Sequence, residues 1–182
     1  NRASRLLKGS GYVVRVASID IAEIGAGGGS ILKIDAGGGV AIGPESAGAN
    51  PGPACYGLGG ILPTIADADL VLGYINPKHL CGGTYPLNSG QAEKALASDI
   101  APALGHDIIE AAYGIYQLAN ARMMRAIKSV SSERGRDPRK FSLHAFGGAG
   151  PVHAAGVAKG LGMNCIVIPP APGVFSAFGL LT

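Results

Sequence analysis

The segment KFSLHAFGGAGPVHAAG, Lys140 to Gly156, constrains this chain more than any other stretch. Phe141, Leu143 and Ala145 alternate with Ser142, His144 and Phe146, the period of a mostly buried strand. Gly147, Gly148 and Gly150 follow, and glycine reaches backbone angles closed to residues with a Cβ. Pro151 suits the first position of a helix, where a missing N–H costs nothing. The pattern predicts strand, glycine turn and helix. The helix runs to about Lys159, and Gly160 and Gly162 end it. Such a turn presents unpaired N–H groups at the positive end of a helix dipole, a ready site for an anion or a nucleotide. The competing reading is a tight turn of an α/β sheet that binds nothing.

A chain of 182 residues suggests one domain or a large piece of one. Its hydrophobic share of 47% supports a substantial core, and a charged share of only 15% leaves part of the surface free to meet another domain. The 30 glycines cluster in GAGGGS, AGGG, GLGG and FGGAG without a collagen-like period, so they predict several tight turns. Net charge is +3, and the most basic stretch, RAIKSVSSERGRDPRK, carries no interleaved aromatic residues. That argues for a solvated helix face and against nucleic-acid binding. Cys55, Cys81 and Cys165 are odd in number and widely spaced, which argues against a disulfide frame and structural zinc. A reducing, cytoplasmic setting follows. Cys165, in an apolar strand, reads as a packed thiol, and Cys55, in a Pro/Gly loop open to exposure, reads as a structural cysteine rather than a nucleophile. No apolar run is long enough for a membrane span.

Taken in order, Asn1 to Gly11 reads as a polar entry segment. Strands are predicted at Tyr12–Val16, Ser18–Ile24, Ile31–Asp35 and Val40–Ile42, joined by the glycine turns Gly25–Ser30 and Ala36–Gly39. Gly43 to Pro63 reads as a long ordered loop. Thr64 caps a helix over Ile65–Tyr74. Asn88 with Gln91 opens a helix to about Leu104, which Pro102 distorts or ends early and Gly105 stops. Asp107 with Glu110 opens the strongest helix. Its apolar stripe is Ile108, Ala112, Ile115, Ala119, Met123, Ile127 and Val130, and it ends near Gly135. Asn164–Ile168 reads as a buried strand.

The run Gly25–Ser30 precedes a strand, so it is no Walker loop, and its amides form a candidate phosphate nest. The plain alternative is a hairpin turn, for which three consecutive glycines are more than needed. His144 and His153 flank the second turn and stand either as a pocket pair or as buried, hydrogen-bonded histidines; a third metal ligand is not apparent. Asp20, Asp35, Asp67 and Asp69 are the carboxylates nearest the glycine turns and within reach of a hydrated Mg²⁺ on phosphates. For Asp67 and Asp69, a first-turn helix position explains them without a metal. No GxSxG occurs, so serine nucleophile chemistry is disfavoured.

The segments IGAGGGSI (Ile24–Ile31), VAIGPESAGANPGPACYGLGGILPTIADADLVLGYI (Val40–Ile75) and FGGAGPVHAAGVAKGLG (Phe146–Gly162) closely resemble the hydantoinase A / 5-oxoprolinase family. That family spans ATP-dependent N-methylhydantoinases, oxoprolinases and subunits of acetone and acetophenone carboxylases. The resemblance covers nearly the whole chain from about Tyr12. It implies an α/β class chain, part of an actin-like ATPase fold of the sugar-kinase and Hsp70 type, with a mixed sheet and helices packed on it. It implies ATP and Mg²⁺ as cofactors, a small-molecule substrate, a second, hydantoinase B-like subunit or domain, and oligomerisation. On this reading FGGAGPVHA lies on the adenosine side and GAGGGS faces the cleft. The expected contacts are at Gly27, Gly28, Gly29, Ser30, Gly147, Gly148 and Gly150, with Ser30 near phosphate and no general base assigned.

Two departures qualify the likeness. The family's D-x-G-G-T-S-x-D phosphate and metal segment is absent, so residues 1–182 are expected to be one domain or part of one, an inactive fragment of the nucleotide-binding half. Ala22-Glu23 stands where many members carry His-Thr, which leaves the subfamily open. The expected reaction is ATP-dependent opening of a hydantoin or lactam. The alternatives are a ketone carboxylase subunit and a non-catalytic interaction domain.

Overall fold

A computed structural model describes residues 21–181. The predicted strand at Tyr12–Val16 and Asp20 lie outside the described residues, and Ile21–Ile24 carries no strand. The first glycine turn leads into β1 (Ser30–Ile34), which pairs antiparallel with β2 (Val40–Ser46). Asp35 closes the hairpin by accepting from the Gly37 and Gly39 amides at 2.8 and 3.0 Å, with Gly38 at φ +81°.

Three helices pack beside this ribbon. α1 (Ile65–Val71) starts in the capping box of Thr64 and Asp67. It stops short of the expected Tyr74, because Gly73 turns left-handed at φ +74° and the Tyr74 amide closes onto the Asp69 carbonyl at 2.9 Å. α2 (Ser89–Leu104) begins at Asn88, which accepts from the Gln91 amide at 3.0 Å, and ends at left-handed Gly105. Pro102 stays inside α2 without ending it early. α3 (Ile108–Val130) is capped by Asp107 and ends before Gly135. There the Ser131 hydroxyl donates to the Ile127 carbonyl at 2.6 Å, and a 3-10 turn, Ser132–Arg134, follows.

β3 (Leu143–His144) is only two residues long. Phe141 is drawn into the preceding turn, its amide bonding the Pro138 carbonyl at 3.1 Å, and both Phe141 and Phe146 are exposed. α4 (Gly150–Leu161) then crosses to β4 (Ile166–Val167), which pairs parallel with β3. β4 is exposed rather than buried, as is Cys165, while Cys55 is buried in its Pro/Gly loop, as suits a structural cysteine. α5 (Phe175–Gly179) closes the described chain. Among the described residues the strands form two separate two-stranded sheets where a mixed sheet was expected.

α3 is the spine. Its first half carries Ala112, Ile115 and Ala119 into a core with Leu32, Ile42, Ile65, Ala68, Leu96 and Ile100. Its second half turns Met123, Met124 and Ile127 toward Val157, Ala158 and Leu161 of α4. Two glycines let α4 approach. A Cβ on Gly156 would strike the Asn120 amide and come within 2.7 Å of the Tyr116 hydroxyl, and one on Gly160 would strike the Met124 sulfur. Gly160 therefore serves packing inside α4 and does not end it; the end is Gly162, at φ +67°.

Candidate functional site

Both glycine turns carry amides with no acceptor among the described residues. In the first, the Ser30 amide bonds the Gly27 carbonyl and the Gly27 amide bonds Ser30 Oγ, each at 2.9 Å. Ser30 is thus buried and engaged within the turn. The Gly28 and Gly29 carbonyls accept from Ala66 and Ala47 at 2.8 Å, but among the described residues their amides have no acceptor. A Cβ on Gly29 would lie 2.9 Å from Ser46 Oγ, so close packing on β2 accounts for that glycine. Gly27 faces open space.

The second turn lies at the carboxyl end of β3, the end at which open α/β sheets bind ligands. Gly147, at φ +85°, is anchored by its amide to the Pro172 carbonyl at 2.7 Å. The amides of Gly148, Ala149 and Gly150 at the start of α4 have no acceptor among the described residues, and Ala149 at the cap position has no side chain to satisfy them. Space around Gly148 and Gly150 is open.

The two turns meet. A Cβ placed on Gly28 would lie 3.6 Å from that of Ala66 and 3.9 Å from that of Ala149. Beside them runs an apolar cavity of about 290 Å³ whose lining includes Ile24, Leu143, Phe146 and Gly150. It shares Ala22, Ile24 and Ala126 with a cavity of about 490 Å³ that also has Glu23, Arg122, Arg125 and Glu133 on its walls. Arg122 reaches across to donate to the Ile42 carbonyl.

The candidate carboxylates have other work. Asp35 closes the hairpin. Asp67, fully buried, accepts from the Cys55 amide at 2.7 Å, the Thr64 amide at 2.9 Å and the Thr64 hydroxyl at 2.8 Å. Burial first, and then the Asp67 carboxylate, push the Cys55 thiol far above its ordinary range, so it is a packing group. His144 is exposed on β3, whereas His153 is fully buried. No group of three His, Cys, Asp or Glu side chains able to hold a metal gathers among the described residues.

One cluster lay hidden in the sequence. His153 Nδ1 sits 2.9 Å from Asn120 Oδ1, and its ring stacks on Tyr116 with centroids 5.0 Å apart. Its Nε2 is 3.2 Å from Asp69 Oδ2, within ion-pair distance but not aligned for a hydrogen bond, and neither Asp69 oxygen has another partner. His153 fits the expectation of a buried, hydrogen-bonded histidine and Asp69 was a candidate carboxylate, but nothing paired them, and Asn120, a polar residue one place after Ala119 on the apolar stripe of α3, was missed.

The family model described as hydantoinase/oxoprolinase matches residues 2–182. The chain is 51% identical to an uncharacterized protein of Methanocaldococcus jannaschii, over 98% of this chain and 26% of that one. It is 49% identical to the acetophenone carboxylase gamma subunit of Aromatoleum aromaticum, over 92% and 23%. The crystal structure of the ATP-dependent caprolactamase from Pseudomonas jessenii superimposes with a TM-score of 0.78 at 47% identity, covering 86% of this chain and 23% of that one. The chain thus spans about a quarter of the length of these relatives. Among the described residues, no helix is long and apolar enough to cross a membrane.

Proposed function

Because the chain belongs to the hydantoinase/oxoprolinase family, we propose that it supplies part of an ATP site in a protein that hydrolyses a cyclic amide of the hydantoin, N-methylhydantoin or 5-oxoproline type. The observation that carries this reading is the meeting of two turns whose amides at Gly28, Gly29, Gly148, Ala149 and Gly150 have no acceptor among the described residues. Unpaired amides beside a helix N-terminus suit phosphate oxygens, and they act by charge stabilisation and positioning. The apolar cavity against Phe146 and Gly150 suits the uncharged base. Ser30 is proposed to hold the first turn in shape rather than to meet phosphate with a free hydroxyl. Bound ATP would supply phosphoryl transfer to an amide or carbonyl oxygen, and Mg²⁺ is proposed to enter with the triphosphate. The actin-like fold, the assignment of these residues to the nucleotide-binding half, and a hydantoinase B-like partner belong to the same proposal. The last is supported by relatives that are themselves named as subunits.

A ketone carboxylase is the second reading, favoured by the acetophenone carboxylase subunit at 49% identity. Calorimetry of the full-length protein with Mg-ATP tests the shared part. Binding that Gly148→Val abolishes supports the cleft; absence of heat, with no competition by ADP, leaves an interaction domain. ATP consumption with a lactam or hydantoin, against a ketone plus bicarbonate, separates the two reactions.

A further inference from the structure

We propose that the buried Asp69–His153 pair, backed by Asn120, is a brace that holds the two glycine turns at the spacing a nucleotide needs. Each partner is tied to one turn. The Ala66 amide of α1 donates to the Gly28 carbonyl at 2.8 Å, and Asp69 follows one helical turn later. His153 closes the first turn of α4, directly behind the unpaired amides of Gly148, Ala149 and Gly150. α1 packs on α2 and α3, α4 packs on α3, and the 3.2 Å contact of Asp69 with His153 joins α1 to α4 directly.

The chemistry of the pair sets its strength. His153 is fully buried and Asp69 is 1% exposed. His153 Nδ1 donates to Asn120 Oδ1, so Nε2 and Asp69 Oδ2 attract only if a proton lies between them; two bare acceptors at 3.2 Å in a dry site would repel. Replacing a buried ion pair by apolar side chains of similar volume is often neutral or stabilising, and the best-attested use of a retained pair is to fix one arrangement over others. The arrangement fixed here is the approach of Gly28 to Ala149. Asp69 and His153 are therefore positioning residues: neither is proposed to touch the ligand. The inference rests on the nucleotide reading above.

The test is a double-mutant cycle in the full-length protein, with Asp69→Asn and His153→Gln, read as the Kd for Mg-ATP beside the unfolding midpoint. Each single variant is expected to weaken ATP binding about tenfold, and the double variant no more than the weaker single, the signature of one coupled unit. Folded variants that bind ATP like the unmodified protein would overturn the brace, whatever their midpoints. Amide exchange in the unmodified protein serves where a variant does not fold. ATP is expected to slow exchange at residues 68–70 and 152–154 together with both turns, and slowing confined to the turns overturns the brace. Failure of the unmodified protein to bind ATP would overturn the proposed function itself. Binding that persists in all variants would overturn the brace alone.

Discussion

Gly156→Ala tests the α3–α4 contact and through it the buried cluster. In an open helix the substitution would stabilise by about 1 kcal/mol. Here the new methyl would strike the Asn120 amide and lie 2.7 Å from the Tyr116 hydroxyl. Overpacking of this kind costs about 1–3 kcal/mol. Displacing Asn120 also takes its oxygen from His153 Nδ1, and a buried donor left without a partner costs about 1–3 kcal/mol more. The net expectation is destabilisation of about 3 kcal/mol, or a fall in the unfolding midpoint of roughly 6–12 °C for a domain of this size. Gly114→Ala is the internal control. Gly114 lies within α3, and a Cβ there meets nothing within 4 Å, so the same substitution should stabilise by about 0.5–1 kcal/mol. Thermal or urea unfolding of the two variants side by side should give opposite signs. If Gly156→Ala stabilised as much as Gly114→Ala, α4 would not lie as close to α3 as argued, and Asn120 would not be held against His153.

Three other expectations follow from particular side chains. Asp67→Ala strands the Cys55 amide and both Thr64 donors in the core and should cost about 3–5 kcal/mol in urea unfolding, with Asp67→Asn losing less. Cys55 should resist iodoacetamide at pH 8 until the protein unfolds, while exposed Cys165 is alkylated in the native state, as peptide mass mapping would reveal. Hydrogen bonds from Arg139 hold the exposed Asp137 carboxyl below its ordinary range, so the small stability it adds is present above that range and is lost as pH falls through the lowered value. Arg139→Ala should bring the Asp137 titration, followed by NMR, back up.

What the sequence revealed, and what it withheld, divides along a physical line. Signals carried by neighbours in the chain were legible. The Thr64 cap and the Asn88–Gln91 and Asp107–Glu110 spacings found three helix starts, and the 3.6-residue stripe found α3. Signals that depend on distant partners were not. The apolar run Asn164–Ile168 looked buried, yet β4 forms only where the Leu143 and Ala145 amides find the Cys165 and Val167 carbonyls, and its side chains stay exposed. The Pro and Gly around Cys55 left its exposure open, and it is Asp67, twelve residues on, that draws its amide into the core. The glycines show the same division most sharply. Gly147 and Gly162 are needed for their left-handed backbone, which local sequence can suggest. Gly156 and Gly160 are needed because α3 leaves no room for a Cβ, and nothing near them in the chain says so.

The candidate site combines both kinds of information. Its loops were legible because glycine runs before β1 and α4 announce free amides, but packing claims part of each run. Gly29 lies against Ser46, Gly28 lies between Ala66 and Ala149, and Gly27 gives its amide to Ser30. Glycine count therefore overstates the candidate surface, and the amides without acceptors among the described residues, at Gly28, Gly29, Gly148, Ala149 and Gly150, delimit it better. Ala149 was not a sequence candidate, because its contribution is a backbone N–H that any residue but proline would supply. Its small side chain matters for another reason. A larger group there would enter the 3.9 Å approach to Gly28 and part the turns. The same small residues that leave the amides open thus also let the two turns touch.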